Sequence, residues 1–340
     1  VTRAKPACLG CLCGIICTVT TILVVLIFTL LTLYFVLGVY AFNTIFLSNQ
    51  STSSCLRSKA TPSIWSVNFS KSCPALQSLA TGNNTYNEYK IPVENWKWIA
   101  FPSRHAAFAT DMNITALLVT HTTGTNRPFV IVVHGIHGCN IAPNALADAG
   151  LLFHNGYNVL IPDLRNHGSS QIDNANPYVT FGHAEHLDVL GGYDYLVRTY
   201  GENQAVGLMG HSMGAATALV AYAQETKLKA CFADSPPANV WGTIYGNAVD
   251  LVRFRILASL LLSGAKSVSK TKSRYGFPPF KYDPLDSCKR IGNRPLFLLQ
   301  DYTDVIVPPV NTIECLLAAK STANGTTTNI HQYFADTGIY

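Results

Sequence analysis

The chain has 340 residues, enough for one large α/β domain with additional segments. Its net charge is +5, and its lysines and arginines form no clustered stripe, which disfavours a nucleic-acid-binding protein. Charged residues make up 13% of the chain, and residues 6–56 contain no Asp, Glu, Lys, Arg or His, which is typical of a chain with a membrane segment rather than of a wholly soluble one.

Residues 15–42, IICTVTTILVVLIFTLLTLYFVLGVYAF, form an almost wholly apolar run. About 20 helical residues span a bilayer core, so the run predicts one membrane anchor preceded by a short tail at 1–14. The run exceeds the h-region of a cleaved signal peptide, about 7–15 residues. Arg3 and Lys5 precede it, so the positive-inside rule predicts a cytosolic N-terminus and a lumenal or extracellular remainder. The reversed orientation remains an alternative.

The ten cysteines form two groups. Four lie at the start of the anchor, and we interpret them as S-palmitoylation sites or as plain small residues: Cys8, Cys11, Cys13 and Cys17. Their spacing lacks the partner ligands of a metal site. Six follow the anchor, and their even number permits disulfides: Cys55, Cys73, Cys139, Cys231, Cys288 and Cys315. Cys55–Cys73 is a plausible local pair, but the sequence does not fix connectivity.

Residues 43–90 are rich in Ser, Thr and Asn and predict a polar stalk before a folded domain at 91–340. Asn-x-Ser/Thr glycosylation acceptors occur at Asn49, Asn68, Asn83, Asn113 and Asn324. They agree weakly with a lumenal or extracellular domain, because chance alone would give about four in this composition.

From about residue 96, strand-like and helix-like segments alternate. The strand-like segments are 129–135, 157–163, 204–210, 229–236 and 295–301, and the helix-like segments are 145–156, 186–201 and 213–225. The run FVIVVHG at 129–135 is continuously apolar, as expected of a strand buried on both faces. This alternation predicts the α/β class, with a mostly parallel sheet and helices on both faces.

The stretch GLMGHSMGAA at 207–216 lies between a predicted strand and a predicted helix. A chain that reverses there puts Ser212 at the tip of a strained turn, and a β-carbon at Gly210 or Gly214 would collide across the turn. This is the G-x-S-x-G nucleophile elbow. The helix directs its partial positive charge at Ser212, where an oxyanion would form.

The loop HGIHG at 134–138 directly follows a predicted strand, as an oxyanion loop must. We expect the backbone N–H groups of Ile136 and Met213 to be the two oxyanion donors. The alternative is an ordinary glycine turn. His134 and His137 precede the elbow in sequence, so we interpret them as loop structure.

Together these blocks resemble the α/β-hydrolases over about 93–340, and most closely their small-cap serine hydrolases. The resemblance is carried in order by WIAFPSRH, VIVVHGIHG, LIPDLRNHGSS, VTFGHAEHLDVLGGYDYL, LMGHSMGAATAL and FADSPPAN. It implies structural roles for Asp163, Arg165 and His167.

A nucleophilic serine needs a base, and the base needs an orienting acid; in this fold the chain order is Ser, acid, His. The segment LFLLQDYTDVIVPP at 296–309 resembles the family's strand, turn and D-x-x-V-P pattern, which selects Asp304 as the acid. Asp301 is the second choice and Asp234 a distant third.

The base is the difficult assignment. His331 is the one histidine after Asp304, but it begins the last predicted strand, whereas catalytic groups of this fold lie at strand C-termini. We expect the catalytic histidine just beyond Tyr340, with the chain cut before it. His331 itself, or a chain that lacks the base, are the alternatives.

The sequence thus predicts a single-pass membrane protein with an α/β-hydrolase domain that cleaves an acyl ester, thioester or amide of a small molecule or acyl lipid. It predicts no cofactor, no metal and no nucleic-acid partner. Residues 237–284 would form a short cap, in which 249–264 could line an acyl pocket, graze the membrane or pack onto the core. The rival hypothesis is an inactive hydrolase fold that serves as a binding module.

Overall fold

A twisted sheet lies at the centre of the computed structural model, which describes residues 8–47, 55, 60–65, 89–123, 126–323 and 329–335. The strands are β1 (Trp96–Pro102), β2 (Asn113–Val119), β3 (Phe129–Val133), β4 (Asn158–Pro162), β5 (Val206–His211), β6 (Cys231–Asp234), β7 (Leu296–Asp301) and β8 (Ile330–Ala335). The helices are α1 (Cys8–Phe46), α2 (Pro143–His154), α3 (His186–Tyr200), α4 (Met213–Gln224), α5 (Val240–Val252), α6 (Arg255–Lys272), α7 (Pro284–Cys288) and α8 (Val310–Thr322).

The strand order is β1-β2-β4-β3-β5-β6-β7-β8. β1 and β2 pair antiparallel, β2 and β4 pair antiparallel, and every pair from β4 to β8 is parallel. Because helices connect the parallel strands, the predicted α/β class and the mostly parallel sheet are confirmed.

Alternate residues of each strand face opposite helical layers, as strand geometry requires. Ile131 and Val133 of β3 join the cluster that contains α3 and α4, whereas Val132 joins the cluster under α2. The end of α1 and the three helices between β6 and β7 belong to the α3–α4 layer. The predicted cap and the N-terminal helix therefore lie on the same side of the sheet.

Helix α1 is longer than the predicted anchor at 15–42, and its stretch Thr18–Phe46 is long and apolar enough to cross a membrane. Its last turns leave the apolar run and enter the domain core. Phe42 and Phe46 are 0% and 1% exposed, and the Val179 N–H donates to the Phe46 carbonyl over 2.7 Å. Residues 43–47, predicted as the start of a stalk, are thus part of the folded domain. The side chains of 8–17, including the four clustered cysteines, lie outside the described residues, as does most of 48–88.

Two disulfides join distant segments, Cys55 to Cys139 and Cys288 to Cys315. The pairing of Cys55 with Cys73 was therefore wrong. Cys55 packs against the α2-side core, where Cys139 is buried, so spatial rather than sequence proximity decides the partner. Cys231 is buried and unbridged, and burial raises the pKa of its thiol to about 12.

A buried ion pair supports the loop after β4. The Arg165 and Asp188 side chains are 2% and 0% exposed, and Arg165 Nη2 donates to Asp188 Oδ1 over 2.7 Å. Asp163 accepts from the Asn140 N–H and the Ser169 N–H. These contacts support the structural roles that the resemblance implies for Asp163 and Arg165.

We expect Arg165→Met to lower the free energy of unfolding by about 3–5 kcal/mol, because it leaves the Asp188 charge buried and unpaired. Thermal and urea unfolding in detergent measure the loss. The matched control is Lys289→Met, which removes an exposed pair with Asp286 and should leave the free energy of unfolding nearly unchanged. Equal losses for both variants would contradict the structural role of the pair.

Candidate active site

Ser212 lies at the turn between β5 and α4 with a strained backbone. Its φ of 53° and ψ of −121° place it in a region that non-glycine residues seldom occupy. Its N–H donates to the Asp234 carbonyl over 2.8 Å, which ties the turn to the end of β6. The turn therefore presents Ser212 at the C-terminal edge of the parallel strands, where this type of sheet places ligands.

The two flanking glycines allow backbone contacts that a side chain would prevent. A β-carbon at Gly210 would lie 2.3 Å from the Gly214 carbonyl oxygen, and one at Gly214 would lie 2.1 Å from the Val133 carbonyl oxygen. The turn is thus tight in the manner expected of the G-x-S-x-G pattern.

The loop after β3 passes beside the serine. A β-carbon on Gly135 would lie 3.5 Å from the Ser212 Cβ, and Ile136 lines the same cavity as Ser212. Met213 begins α4 and is fully buried. The structure brings Ile136, Met213 and Ser212 together, while the role of the two N–H groups as oxyanion donors stays a prediction.

His134 holds this loop in place. Its Nε2 accepts from the Leu164 N–H over 3.1 Å, so its Nδ1 carries the proton and donates to the Gly135 carbonyl over 2.8 Å. Burial lowers the pKa of His134 to about 4, so the ring is neutral near pH 7. Its contacts agree with its interpretation as loop structure.

Asp304 lies in the turn that follows β7 and is 4% exposed. One carboxylate oxygen accepts from the N–H groups of Ile306 and Val307, both over 2.8 Å, and the other is 3.4 Å from Gln300 Nε2. Ile306 and Val307 line the cavity together with Ser212. The turn thus borders the site and fixes the orientation of the carboxylate.

The two alternative acids have other partners. Asp301 accepts from the Thr303 N–H over 2.7 Å and from the Thr303 hydroxyl over 2.6 Å, contacts that shape the same turn. Asp234 lies 2.9 Å from His211 Nδ1. Because His211 and Met209 are two positions apart on β5, and Met209 packs in the α2-side cluster, this pair faces away from α4.

His331 does not meet Ser212. It is exposed, it pairs with Phe297 near the start of β7, and three strand spacings of about 4.8 Å separate β8 from β5. Across the described residues, Ser212 Oγ has no hydrogen bond to a histidine. The histidine expected beyond Tyr340 lies outside those residues.

An apolar cavity of about 320 Å³ opens beside Ser212. Its walls come from α1, α5, α6 and the turn after β7, represented by Thr44, Ile244, Leu261 and Val307. Its volume is at the lower end of the range for small-molecule sites, about 300–1,000 Å³. Sequence reasoning missed the contribution of α1 to the cavity. The polar Thr44 and the small Gly38 near the end of an aliphatic helix could have indicated that this part of α1 packs against protein.

A smaller polar cavity of about 170 Å³ lies on the α2 side of the same turn, lined by Asp148, His211 and Asp234. Burial, with a minor contribution from the negative charge of Asp234, raises the pKa of Asp148 to about 7, although the charge of His211 opposes the shift. Burial tends to lower the pKa of His211, but the hydrogen bond and charge of Asp234 outweigh it and raise that pKa. Asp148 was also missed, although it is the one charged residue in the predicted helix at 145–156.

No group of three or more His, Cys, Asp or Glu side chains in the described part of the chain could hold a metal ion.

Comparison with known proteins identifies the fold. The family model for the alpha/beta hydrolase fold matches residues 128–252. The chain is similar to the esterase Pf2001 of Pyrococcus furiosus, with 25% identity and a TM-score of 0.55 over 75% of this chain and 86% of that one. A puromycin hydrolase is 13% identical, with a TM-score of 0.51 over 75% of this chain and 37% of that one. No curated protein matches. The chain has the α/β-hydrolase fold, and the family model and the likeness to the esterase support a hydrolase.

We expect Gly214→Ala to slow the reaction of Ser212 with a fluorophosphonate probe by about 100-fold, because the new methyl group pushes α4 off Val133 and misplaces the serine. The matched control is Gly207→Ala on β5, where a β-carbon meets nothing closer than 3.5 Å. Circular dichroism checks that both variants fold. A Gly214→Ala variant that reacts as fast as Gly207→Ala would contradict the role of the close contact.

The shifted pKa of Asp148 predicts a pH-dependent stability. The folded-state pKa, about 7, is above the ordinary value of 3.8, so the folded protein binds the extra proton and its stability falls as pH rises through that interval. Asp148→Asn removes this loss of stability. We expect the free energy of unfolding of the variant to exceed that of the wild type by on the order of 2 kcal/mol at pH 8 but not at pH 4. Urea unfolding at both pH values measures it, with exposed Asp286→Asn as control. Parallel pH profiles for wild type and Asp148→Asn would refute the prediction.

Proposed function

We propose that the protein is a serine hydrolase that cleaves an acyl ester, thioester or amide through an acyl-enzyme on Ser212. The observation that carries this proposal is the strained Ser212 at the C-terminal edge of the sheet, facing an apolar cavity of about 320 Å³. A strained residue costs about 1–3 kcal/mol and persists only where the surrounding structure enforces it. The fold and the esterase neighbour support the same reaction class.

In the proposed reaction, a base accepts the hydroxyl proton of Ser212 while Oγ attacks the acyl carbonyl carbon. The negative charge that develops on the carbonyl oxygen is stabilised by the N–H groups of Ile136 and Met213 and by the N-terminus of α4. The leaving alcohol, thiol or amine departs with that proton. Water then attacks the acyl-enzyme by the same route and releases the acid.

The acid of the proposed triad is Asp304, whose carboxylate is fixed by two backbone N–H groups beside the cavity. The base would be a histidine at the same edge of the sheet, because the acid must orient its ring. Ala335 at the end of β8 pairs with Asp301, so β8 ends at the edge that holds Asp304.

We further propose that α1 anchors the protein in a membrane with its N-terminus in the cytosol and the hydrolase domain lumenal or extracellular. The length and apolar composition of Thr18–Phe46 support the anchor. The two disulfides support an oxidising compartment for the domain.

The second candidate function, a binding module without catalysis, is favoured by one observation: among the described residues Ser212 lacks a histidine partner. A binding module has no need of a strained serine between two close backbone contacts. We therefore prefer the enzyme.

A fluorophosphonate probe on the membrane-embedded protein tests the proposal. We expect labelling of the wild type, none of Ser212→Ala, and unchanged labelling of His331→Ala. Asp304→Asn should lower ester turnover by about 10²–10⁴-fold, because the base loses its orienting carboxylate.

Asp301→Asn is the matched control for the acid, since it alters a neighbouring carboxylate of the same turn. It should lower ester turnover by about tenfold or less. Equal labelling of wild type and Ser212→Ala would contradict the proposed acyl-enzyme mechanism. A larger loss in Asp301→Asn than in Asp304→Asn would transfer the acid role to Asp301.

A further inference from the structure

Helix α1 forms one wall of the cavity that contains Ser212. Tyr40, Ala41, Thr44 and Ile45 line it from α1, and the cap helices α5 and α6 supply further lining residues. A helix that served as a tether alone would have no side chains in the site. The proposed membrane anchor and the proposed substrate pocket thus share residues.

The contact of α1 with the domain is close and specific. A β-carbon on Gly38 would lie 2.6 Å from the carbonyl carbon of Gly264 on α6, so the two helices pack backbone against backbone. Tyr34 Oη and Ser263 Oγ lie 2.9 Å apart beside this crossing. With Phe42 and Phe46 buried in the core, α1 cannot move away from the cavity without unpacking the domain.

Just before this crossing, α1 is exposed. Leu33, Phe35 and Val36 are 51%, 54% and 56% exposed, which indicates a lipid-facing surface on a helix of this composition. Thr44 follows Gly38 by six positions, a rise of about 9 Å along the helix. The cavity therefore begins within about two turns of the lipid-facing part of α1.

The cap presents a second apolar surface beside α1. Leu251, Phe254 and Ile256 are 82%, 69% and 79% exposed, and we name these three residues the cap patch. Leu251 also lines the cavity, so the patch is continuous with its rim. Arg253 and Arg255 lie between the residues of the cap patch in sequence, and both are exposed. Exposed apolar side chains with interleaved arginines are typical of segments that lie in a membrane interface, where guanidinium groups contact lipid phosphates.

We propose that the cap patch is inserted in the leaflet that surrounds α1 before its crossing with α6, and that the cavity receives the acyl chain of a membrane-resident lipid ester laterally, between α1 and the cap. The inference rests on the proposed hydrolase and anchor, and it specifies their substrate class. The apolar walls suit a long acyl chain and offer little to a peptide or a sugar. Ser212 Oγ would take the acyl group, the lipid alcohol would leave with the serine proton, and water would release the fatty acid.

The test uses the protein reconstituted into phosphatidylcholine–phosphatidylserine vesicles and two fluorogenic substrates, 4-methylumbelliferyl oleate in the bilayer and the water-soluble acetate. Ile256→Glu should lower oleate turnover by about tenfold or more, because a carboxylate opposes insertion, and should leave acetate turnover within about twofold. The matched control is Ile64→Glu, an isoleucine of 71% exposure that precedes Trp65 of the α2-side core, and it should change neither rate. The double variant Phe254→Glu/Ile256→Glu should lower oleate turnover further and still leave acetate turnover within about twofold.

A second pair of variants tests the α1 wall with oleate in detergent micelles, where bilayer access is not needed. The Thr44 and Thr32 hydroxyls make the same bond to the carbonyl four residues earlier, at 2.9 Å and 2.8 Å, and both residues are exposed. Thr44→Phe should raise the KM for oleate by about fivefold or more because it fills the cavity, whereas Thr32→Phe should not change it.

The outcomes separate the two proposals. Absence of Ser212-dependent turnover of both esters would overturn the proposed hydrolase itself. Ser212-dependent acetate turnover, with vesicle oleate turnover equal in wild type and in both cap-patch variants, would overturn lateral access. An unchanged KM for oleate in Thr44→Phe would overturn the proposal that the cavity binds the acyl chain.

Discussion

The first turn of α4 rests against the end of β3 so closely that Gly214 has no room for a β-carbon. This contact fixes where α4 begins and holds Ser212 in its strained conformation. It also sets the distance between the serine and the loop of Ile136. The glycines, the buried His134 and the Ser212–Asp234 backbone bond all serve one geometry, a serine projecting from the strand edge. The proposed chemistry depends on that geometry because an oxyanion donor works only when it is already in position.

A second constraint comes from the N-terminus. The close crossing of Gly38 and Gly264 makes α1 part of the hydrolase domain. Because the proposed membrane anchor ends in this core, packing rather than a flexible stalk would set the position of the cavity relative to the bilayer. Tyr40, Thr44 and Leu251 of the cap patch line that same cavity.

The local patterns of the sequence predicted the sheet, the tight turn at Ser212 and the loop after β3, because apolar strands and paired glycines act over a few residues. The turn that holds Asp304 was selected by its resemblance to the family's D-x-x-V-P pattern, and the role of Asp304 as the acid stays a prediction. The contribution of α1 to the cavity could not be predicted, because it depends on a contact between Gly38 and Gly264, residues more than 200 positions apart. The pairing of Cys55 was mistaken for the same reason, since its partner Cys139 is remote in sequence. Asp148 shows a third limit, because its raised pKa arises from burial that composition does not reveal.

Because the proposed anchor α1 also supplies a wall of the cavity, the two roles cannot be separated by cutting the chain. Removing the residues before about position 47 would take Phe42 and Phe46 out of the core, at about 1.5–3 kcal/mol for each side chain. It would also open the cavity on the side of Thr44 and expose the apolar faces of α5 and α6. Such a fragment would lose stability and substrate contacts together, whereas a domain on an independent stalk would keep both. The ends of the sheet position the serine, and α1 completes the space in front of it.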